Sequence, residues 1–220
     1  MAAIDFVRPL CAGIDEAGRG CLAGPVVAAA VILPYGFELP GLDDSKALSA
    51  KKRARLEIQI KECARAYGLG VVWPVKIDRI NILQATFAAM AHAVSRLKLN
   101  PGLLLIDGNQ AIPPHILEEA LARSEKTLPR QKTVVHGDSL EPAISAASIL
   151  AKTFRDRIMI ALDRHFCGYG FARHKGYGTR DHLARLRKFG PTSMHRKTFR
   201  GVLPDNGPVQ GSLWQQSNEK

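Results

Sequence analysis

The chain has 220 residues, of which 46% are hydrophobic and 23% charged, and its formal net charge is +11. This length fits one ordinary domain with a sizeable core. No apolar run approaches the roughly 18 residues of a membrane span, and the N-terminus lacks the charged and apolar pattern of a signal region. We therefore expect a cytoplasmic protein, and a monomer by default. The positive net charge predicts an acidic partner, and nucleic acid is favoured over an anionic membrane surface.

The first half of the chain alternates short apolar runs with helical patterns. We predict strands at about 10–15, 26–33 and 69–73. A helix of about 50–67 is expected before the third strand, with Ser49 as its N-cap and Gly68 at its end. Apolar residues then recur at helical spacing from Ile82 to Leu97.

The second half continues this alternation. The continuous apolar run Leu103–Ile106 predicts a strand buried on both faces, and Lys132–His136 predicts a fifth strand. Helices are expected from Pro114 to about Ala122, at about 143–164 and at about 180–189. Strands mixed with helices in this way predict an α/β fold around a central sheet. Gly, Ser, Gln and Asn beyond Pro204 predict a flexible tail at 204–220.

Four carboxylates stand near the ends of the apolar runs: Asp15, Glu16, Asp107 and Asp138. Neighbouring residues on a strand point to opposite faces, so Asp15 and Glu16 can serve one site only if their strand ends there. Each acid alone has a simpler explanation, as surface decoration or as a helix cap. Together they would repel one another unless a cation neutralised them, and Mg²⁺ or Mn²⁺ would suit their oxygen ligands. We therefore predict a divalent-metal site that acts on a polyanion.

Two further regions predict contact with nucleic acid. Residues 171–200 hold nine Lys/Arg against one acid, with four aromatic rings among them. Cations contact phosphates and rings stack on sugars or bases, although a solvated surface is the alternative. The second region is Gly18-Arg19-Gly20, where glycines let the backbone approach a ligand and Arg19 can reach a phosphate. An ordinary tight turn would explain the two glycines equally well.

Other chemistries find less support. The four cysteines show no C-x-x-C spacing, so a zinc site is not expected and the thiols should be reduced. Gly137-Asp138-Ser139-Leu140 spells the motif of a serine esterase family, with Ser139 as nucleophile. That family carries the motif near the N-terminus and an Asp-x-x-His pair near the C-terminus, and this chain has neither arrangement. A catalytically silent nucleic-acid-binding module also stays open, but it leaves the strand-end acids unexplained.

An ordered series of motifs resembles the ribonuclease HII family, the type 2 ribonucleases H. The series runs from about residue 10 to 200 and consists of Gly13–Gly20 with Leu22–Val27, Asp44-Ser45-Lys46, Ile106–Asn109, Gly137-Asp138, Ile144–Lys152 and His174–Tyr177. We expect no additional N-terminal domain before the first strand, and this expectation favours the family over the related ribonucleases HIII, which carry one.

The resemblance implies a ribonuclease H-like fold, with a central mixed five-stranded sheet flanked by helices and a C-terminal helical extension. It implies a catalytic domain at 1–165, the basic extension at 166–203 and the tail at 204–220. The expected activity is endonucleolytic cleavage of RNA in RNA–DNA hybrids, and 5′ of single ribonucleotides embedded in duplex DNA. The products would carry 5′-phosphate and 3′-hydroxyl ends.

The same resemblance implies roles for individual residues. Asp15, Glu16, Asp107 and Asp138 would be the catalytic acids that bind Mn²⁺ or Mg²⁺. Gly18, Arg19 and Gly20 would read the ribose 2′-hydroxyl, and Tyr177 would stack on the sugar of the next deoxynucleotide. Phosphate contacts or support of the site are expected from Lys46, Ser148, Lys152 and Lys175. Two positions depart from the family pattern: His136 stands where lysine is usual, and Gly178 where proline is usual.

Overall fold

The computed structural model describes residues 10–37, 48–122 and 126–203. A five-stranded sheet with the order β3-β2-β1-β4-β5 lies at its centre. The strands are β1 (Cys11–Ala17), β2 (Val26–Ile32), β3 (Ala66–Val72), β4 (Leu103–Asp107) and β5 (Arg130–Val134). β2 runs antiparallel to both β1 and β3, whereas β4 runs parallel to β1 and to β5. The predicted α/β fold with a mixed five-stranded sheet is confirmed.

The described residues also form seven helices. They are α1 (Ala50–Cys63), α2 (Pro74–Ser95), α3 (Pro114–Leu121), α4 (Gly137–Leu140), α5 (Pro142–His165), α6 (Phe171–His174) and α7 (Arg180–Phe189). One core joins alternate residues of β1 and β2, such as Ile14 and Ala28, to α2 and α3. The other core joins Ala17 and Val27 to α1 and α5 on the opposite face. β2 is accordingly buried along its whole length.

Two predicted boundaries in the first half of the chain are wrong. α1 ends at Cys63, and Gly68 lies inside β3 instead of terminating a helix. The reason is helix packing: a Cβ at Gly68 would come within 2.1 Å of the Ala93 carbonyl oxygen, and one at Gly70 within 1.9 Å of the Ala89 carbonyl oxygen. These glycines let α2 lie directly on β3, so they have a packing role in the strand.

α2 begins earlier than the apolar periodicity indicated. It starts at Pro74 and is kinked at Asn81, whose φ of 66° and ψ of 167° are not helical. The Asn81 side-chain carbonyl accepts a hydrogen bond from the Gln84 amide at 3.0 Å and so caps the second part of the helix. Because the kink changes which face of α2 packs on the sheet, the apolar residues of its first two turns do not share one helical periodicity with the rest of the helix.

The basic C-terminal region contains the short helix that the sequence predicted at about 180–189. α7 spans Arg180–Phe189, and its N-cap Thr179 accepts a hydrogen bond from the His182 amide at 3.2 Å. A third, smaller core holds this region against the sheet domain and contains Ala23, Met159, Tyr169, Phe171, Leu186 and Val202. The predicted tail at 204–220 lies outside the described residues. No helix in the described part of the chain is long and apolar enough to cross a membrane.

The packing of α5 on β1 allows a stability test at Gly13. A Cβ at this residue would lie 2.1 Å from the Ala143 carbonyl carbon and 2.3 Å from the Ile144 nitrogen, both of which are backbone atoms. Gly13→Ala should therefore lower the free energy of unfolding by about 3 kcal/mol, measured by chemical denaturation. Gly20→Ala is the matched control, because nothing lies within 4 Å of its added Cβ. Equal stability of the two variants would contradict this account.

Candidate active site

Asp15 and Asp107 lie side by side on neighbouring strands. β1 and β4 are parallel, and their register places Ile14 opposite Ile106, so the next residue on each strand is an aspartate. Beyond β5, the Gly137 amide donates a hydrogen bond to Asp107 Oδ1 at 2.8 Å. The buried Asp138 follows directly. The fold therefore brings three of the four predicted acids to one edge of the sheet.

The surroundings of Asp15 concentrate negative charge. The residue is only 6% exposed. Burial, above all, raises the pKa of this carboxyl well above its ordinary value, and the charges of Glu16 and then Asp107 raise it further. A hydrogen bond with Ser148 of α5 acts in the opposite direction. A cation bound here would relieve both the desolvation and the repulsion.

Glu16 does not sit at a strand end as the sequence suggested. β1 continues to Ala17 because β2 pairs with it up to the contact between Ala17 and Val27. Strand alternation places Glu16 on the face opposite to Asp15. Its carboxylate pairs with Arg19 at 3.1 Å, and its backbone amide donates to Asp15 Oδ1 at 2.6 Å. Glu16 therefore links the aspartates to the Gly18–Gly20 turn.

Whether these acids suit a divalent cation depends on their number and chemistry. Within residues 10–37, 48–122 and 126–203, no three His, Cys, Asp or Glu side chains form a group that could hold a metal ion by themselves. Mg²⁺, however, is commonly held by one or two carboxylates together with water and substrate phosphates, not by a complete protein cage. The adjacent carboxylates of Asp15 and Asp107 fit that mode of binding.

The Gly18–Gly20 turn follows β1, and two buried arginines support it and the residues that follow it through hydrogen bonds to the backbone. Gly18 has a φ of +91°, and a Cβ there would lie 1.9 Å from Arg155 Nε. Arg155 and Arg196 have no exposed surface, and both donate hydrogen bonds to carbonyl oxygens of residues 18–25. Burial lowers the pKa of Arg196 to about 9, which still leaves the side chain charged at neutral pH.

Tyr177 lies beside this turn and is 44% exposed. Burial of the rest of this side chain is the main cause that raises the pKa of the Tyr177 phenol, and its interaction with Cys21 is the second. Lys152 Nζ lies 5.6 Å from the centre of the ring and also pairs with Asp156 at 2.8 Å. The backbone of the preceding residue is joined to the turn segment, because the Leu22 amide donates to the Gly176 carbonyl at 2.8 Å. The turn and the tyrosine therefore form one connected surface.

The other residues predicted to contact phosphates or support the site have different surroundings. Ser148 does contact the acid site, through Asp15. Lys175 is half-buried and its ammonium donates to the Ala172 carbonyl oxygen. Lys46 lies outside the described residues.

The basic stretch 171–200 is less available to phosphates than its composition suggested. Arg196 is wholly internal, and Arg173 and Arg185 both pair with Asp181, at 2.5 and 3.0 Å. With Lys175, which donates to the Ala172 carbonyl, at least four of the nine cations therefore have hydrogen-bond acceptors or a carboxylate within the protein.

Arg155 and Arg196 were missed as functional candidates in the sequence. Arg155 follows Ser148 and Ala151 at helical spacing on the buried face of α5, and a charged residue on such a face indicates an internal partner. No comparable pattern surrounds Arg196, which follows a turn at the end of the basic stretch.

The two departures from the family pattern occupy specific places. His136 has a φ of 56° and precedes the turn of α4 that carries Asp138. Gly178 lies next to Leu22, whose Cδ1 would be 3.2 Å from an added Cβ. Ser139, the nucleophile of the esterase alternative, donates its hydroxyl to the His136 carbonyl oxygen at 2.9 Å.

Three histidines form a buried cluster beneath Tyr177. His182 Nδ1 lies 2.9 Å from the Tyr177 carbonyl oxygen, and His182 Nε2 lies 3.1 Å from His195 Nε2. His174 stacks on His182 with ring centres 4.2 Å apart and accepts a hydrogen bond from the Gly176 amide at 3.1 Å. Burial, followed by the nearby His182 and His174, lowers the pKa of His195 to about 4. The cluster is therefore neutral when the protein is folded at neutral pH.

Comparison with known proteins assigns this fold to the ribonuclease H class of hydrolases. Solved structures show the same fold. The ribonuclease H2 of Pyrococcus horikoshii OT3 superposes with a TM-score of 0.69 at 24% identity, over 87% of this chain and 94% of its own. The RNase HII of Archaeoglobus fulgidus, solved in complex with PCNA, gives 0.65 at 30% identity, over 93% and 98%.

The chain belongs to the ribonuclease HII family. The sequence profile described as Ribonuclease HII matches residues 12–202. The Ribonuclease HII of Nitratidesulfovibrio vulgaris is 58% identical over 97% of both chains, and that of Geobacter metallireducens is 58% identical over 90% of this chain and 86% of its own. The fold and enzyme class expected from the motifs are thus confirmed. A Bst-RNase HIII solved in complex with Mn²⁺ shares the fold, with a TM-score of 0.63 at 18% identity over 88% of this chain and 68% of its own.

The histidine cluster predicts a loss of stability in mild acid. Histidine in the unfolded chain has a pKa near 6.5, whereas His195 in the folded protein has a pKa of about 4. As the pH falls below about 6.5, only the unfolded state binds the proton, so the free energy of unfolding should fall by roughly 1.4 kcal/mol per pH unit for this residue.

Denaturation midpoints between pH 7 and pH 4.5 check this prediction. His195→Gln should show a shallower dependence on pH than the wild type. His165→Gln, which alters an exposed histidine in the last turn of α5, is the control and should keep the wild-type dependence. If the midpoint of His195→Gln depends on pH as steeply as that of the wild type, protonation of His195 is not the cause of the loss of stability.

Proposed function

We propose that this protein is an endoribonuclease that cleaves the RNA strand of RNA–DNA hybrids, and that it also cleaves 5′ of a single ribonucleotide embedded in duplex DNA. The observation that carries the proposal is the placement of Asp15 beside Asp107, in a buried setting where burial and like charges raise the pKa of Asp15. In a chain of net charge +11, such a site suits cation-assisted reaction of a polyanion.

Asp15, Glu16, Asp107 and Asp138 are the proposed catalytic and metal-binding residues. Two Mg²⁺ or Mn²⁺ ions, when bound, would supply activation of water and stabilisation of the leaving oxygen. Ser148 holds the Asp15 carboxyl, and the Gly137 amide orients Asp107 through its hydrogen bond at 2.8 Å. Manganese is supported further by the Bst-RNase HIII complex, whose fold this chain shares.

The proposed recognition of the ribonucleotide comes from the surface beside these acids. The Gly18–Gly20 turn would contact the 2′-hydroxyl, the group that distinguishes RNA from DNA. Tyr177 would stack on the following deoxyribose, with Lys152 5.6 Å from its ring to contact a phosphate. The exposed cations of the basic extension would hold the duplex backbone. All of these groups come from one chain, so the proposal requires only a monomer.

Cleavage of a labelled duplex with one ribonucleotide tests the proposed chemistry. The wild type should cut 5′ of the ribonucleotide when Mg²⁺ or Mn²⁺ is present, and EDTA should abolish cutting. Asp107→Asn keeps the shape of the side chain but removes its charge, so activity should fall by at least roughly 100-fold. Thermal stabilisation by Mn²⁺ should also be smaller in this variant, a measurement that does not depend on turnover.

Ser139→Ala is the control for the cleavage assay, because the esterase alternative requires that hydroxyl and the proposed mechanism does not. It should retain wild-type cleavage. Loss of cleavage in Ser139→Ala together with full cleavage in Asp107→Asn would reject the proposed site.

A separate test concerns the stacking role of Tyr177. Tyr177→Ala should lower kcat/KM for the single-ribonucleotide duplex by about 10-fold or more, because stacking of a ring is worth roughly 1–3 kcal/mol. Tyr177→Phe retains the ring and should lose much less. A long RNA–DNA hybrid provides the comparison substrate, since it offers no RNA-to-DNA junction at most cleavage positions. Equal losses on both substrates would contradict the proposed recognition of the junction.

A further inference from the structure

Two buried guanidinium groups bind one short stretch of backbone. Arg196 donates to the carbonyl oxygens of Gly18 and Arg19, both at 2.7 Å, and to that of Gly24 at 3.1 Å. Arg155 donates to the carbonyls of Ala23 and Pro25 at 3.0 and 2.9 Å. Its third bond, also 2.9 Å long, goes to the Lys175 carbonyl. Five of these six bonds end in residues 18–25.

Stability alone does not explain this use of charge. None of the ion pairs formed between described residues includes Arg155 or Arg196. Burying a guanidinium without a paired carboxylate carries a large desolvation cost, and apolar replacements of buried ions are often neutral or stabilising. What a guanidinium offers in return is a rigid, planar set of donors that fixes several acceptors relative to one another. Its benefit here is geometric.

The geometry orients the peptide groups of the turn. The described peptide bonds are trans, so the N–H and C=O of each peptide unit point in opposite directions. Since the Gly18 and Arg19 carbonyls both point to Arg196, the N–H groups of the next residues, Arg19 and Gly20, point to the opposite side. Arg155 fills the space where a Gly18 side chain would stand, with its Nε 1.9 Å from an ideal Cβ.

Arg196 comes from the C-terminal extension, and backbone contacts bind that region to the turn. The Arg196 amide donates to the Leu22 carbonyl at 2.8 Å, and the Gly24 amide donates to the Met194 carbonyl at 2.8 Å. Asp78 of α2 accepts hydrogen bonds from the Lys197 amide at 3.0 Å and the Thr198 amide at 3.2 Å, which anchors the segment immediately after Arg196.

We propose that Arg196, together with Arg155, is a positioning residue for ribose recognition: its guanidinium holds the Gly18–Gly20 turn in the orientation that distinguishes a 2′-hydroxyl from a 2′-hydrogen. This inference rests on the proposed function of the turn. It makes the C-terminal extension part of substrate specificity, in addition to any contact the extension makes with the duplex.

Arg196→Lys tests the proposal, because lysine keeps the charge but cannot reach three carbonyls with a rigid fork. Binding is measured in EDTA, so that the substrate stays intact, with duplexes that differ only in one ribonucleotide. The preference is the affinity for the ribonucleotide duplex divided by the affinity for the all-DNA duplex. In the variant this ratio should fall roughly tenfold, while the affinity for the all-DNA duplex is unchanged. Arg164→Lys, the same substitution at an exposed arginine in the last turn of α5, is the matched control and should keep the preference.

Hydrogen exchange of the free protein supplies a measurement that needs no substrate. Within residues 18–25, the hydrogen-bonded amides of Cys21, Leu22 and Gly24 should exchange about tenfold faster in Arg196→Lys, while those of α5 should not change. If Arg196→Lys does not fold, Arg155→Lys tests the same turn from its other side.

The outcomes separate the inference from the function on which it rests. Wild-type preference in folded Arg196→Lys, or unchanged exchange at residues 18–25, would overturn the positioning role alone. A wild type that binds both duplexes equally would instead overturn the proposed recognition of the 2′-hydroxyl, and the inference with it.

Discussion

The close contact between Gly13 and the start of α5 is the constraint on which the site depends. Because Gly13 has no side chain, the backbone at Ala143 and Ile144 reaches the surface of β1. Successive turns of α5 then serve different parts of the site from one helical face. Ser145 donates to the Asp138 carbonyl oxygen, and Ser148 holds Asp15. Further along the same face are Lys152, near Tyr177, and Arg155, beneath the glycine turn.

Charge is used in two distinct ways in this molecule. The exposed cations create an electrostatic field that attracts a polyanion. Net charge is usually interpreted in this way. Arg155 and Arg196 act instead as internal hydrogen-bond donors, and Arg173, Arg185 and Lys152 are paired with carboxylates. The count of 31 Lys and Arg residues therefore overstates how many cations the surface presents to a polyanion. At the acid site, by contrast, burial and the charges of Glu16 and Asp107 raise the pKa of Asp15, and a bound cation would relieve both effects.

The fold was largely predictable because short-range patterns encode it. The apolar run Leu103–Ile106 predicts a strand, and Asp107 is the last residue of that strand, although Leu103 and Leu105 are only half-buried. The end of α1 and the length of β1 were not predictable, since contacts distant in sequence decide both: α2 packs on Gly68, and β2 extends its pairing to Ala17. Arg196 escaped prediction for the same reason, because its acceptors lie 172 to 178 residues away.

That sequence separation has a consequence for biosynthesis. During translation the Gly18–Gly20 turn is synthesised long before Arg196. The hydrogen bonds from Arg196 to the turn, from Gly24 to Met194 and from Lys197 to Asp78 can form only after residues 194–197 have been made. The sheet and α5 can assemble earlier, since their contacts lie within the first 165 residues. A nascent chain that ends before residue 196 would thus lack the hydrogen bonds from Arg196 to the carbonyls of Gly18 and Arg19. The sheet and α5 are therefore synthesised before the support of this turn is complete.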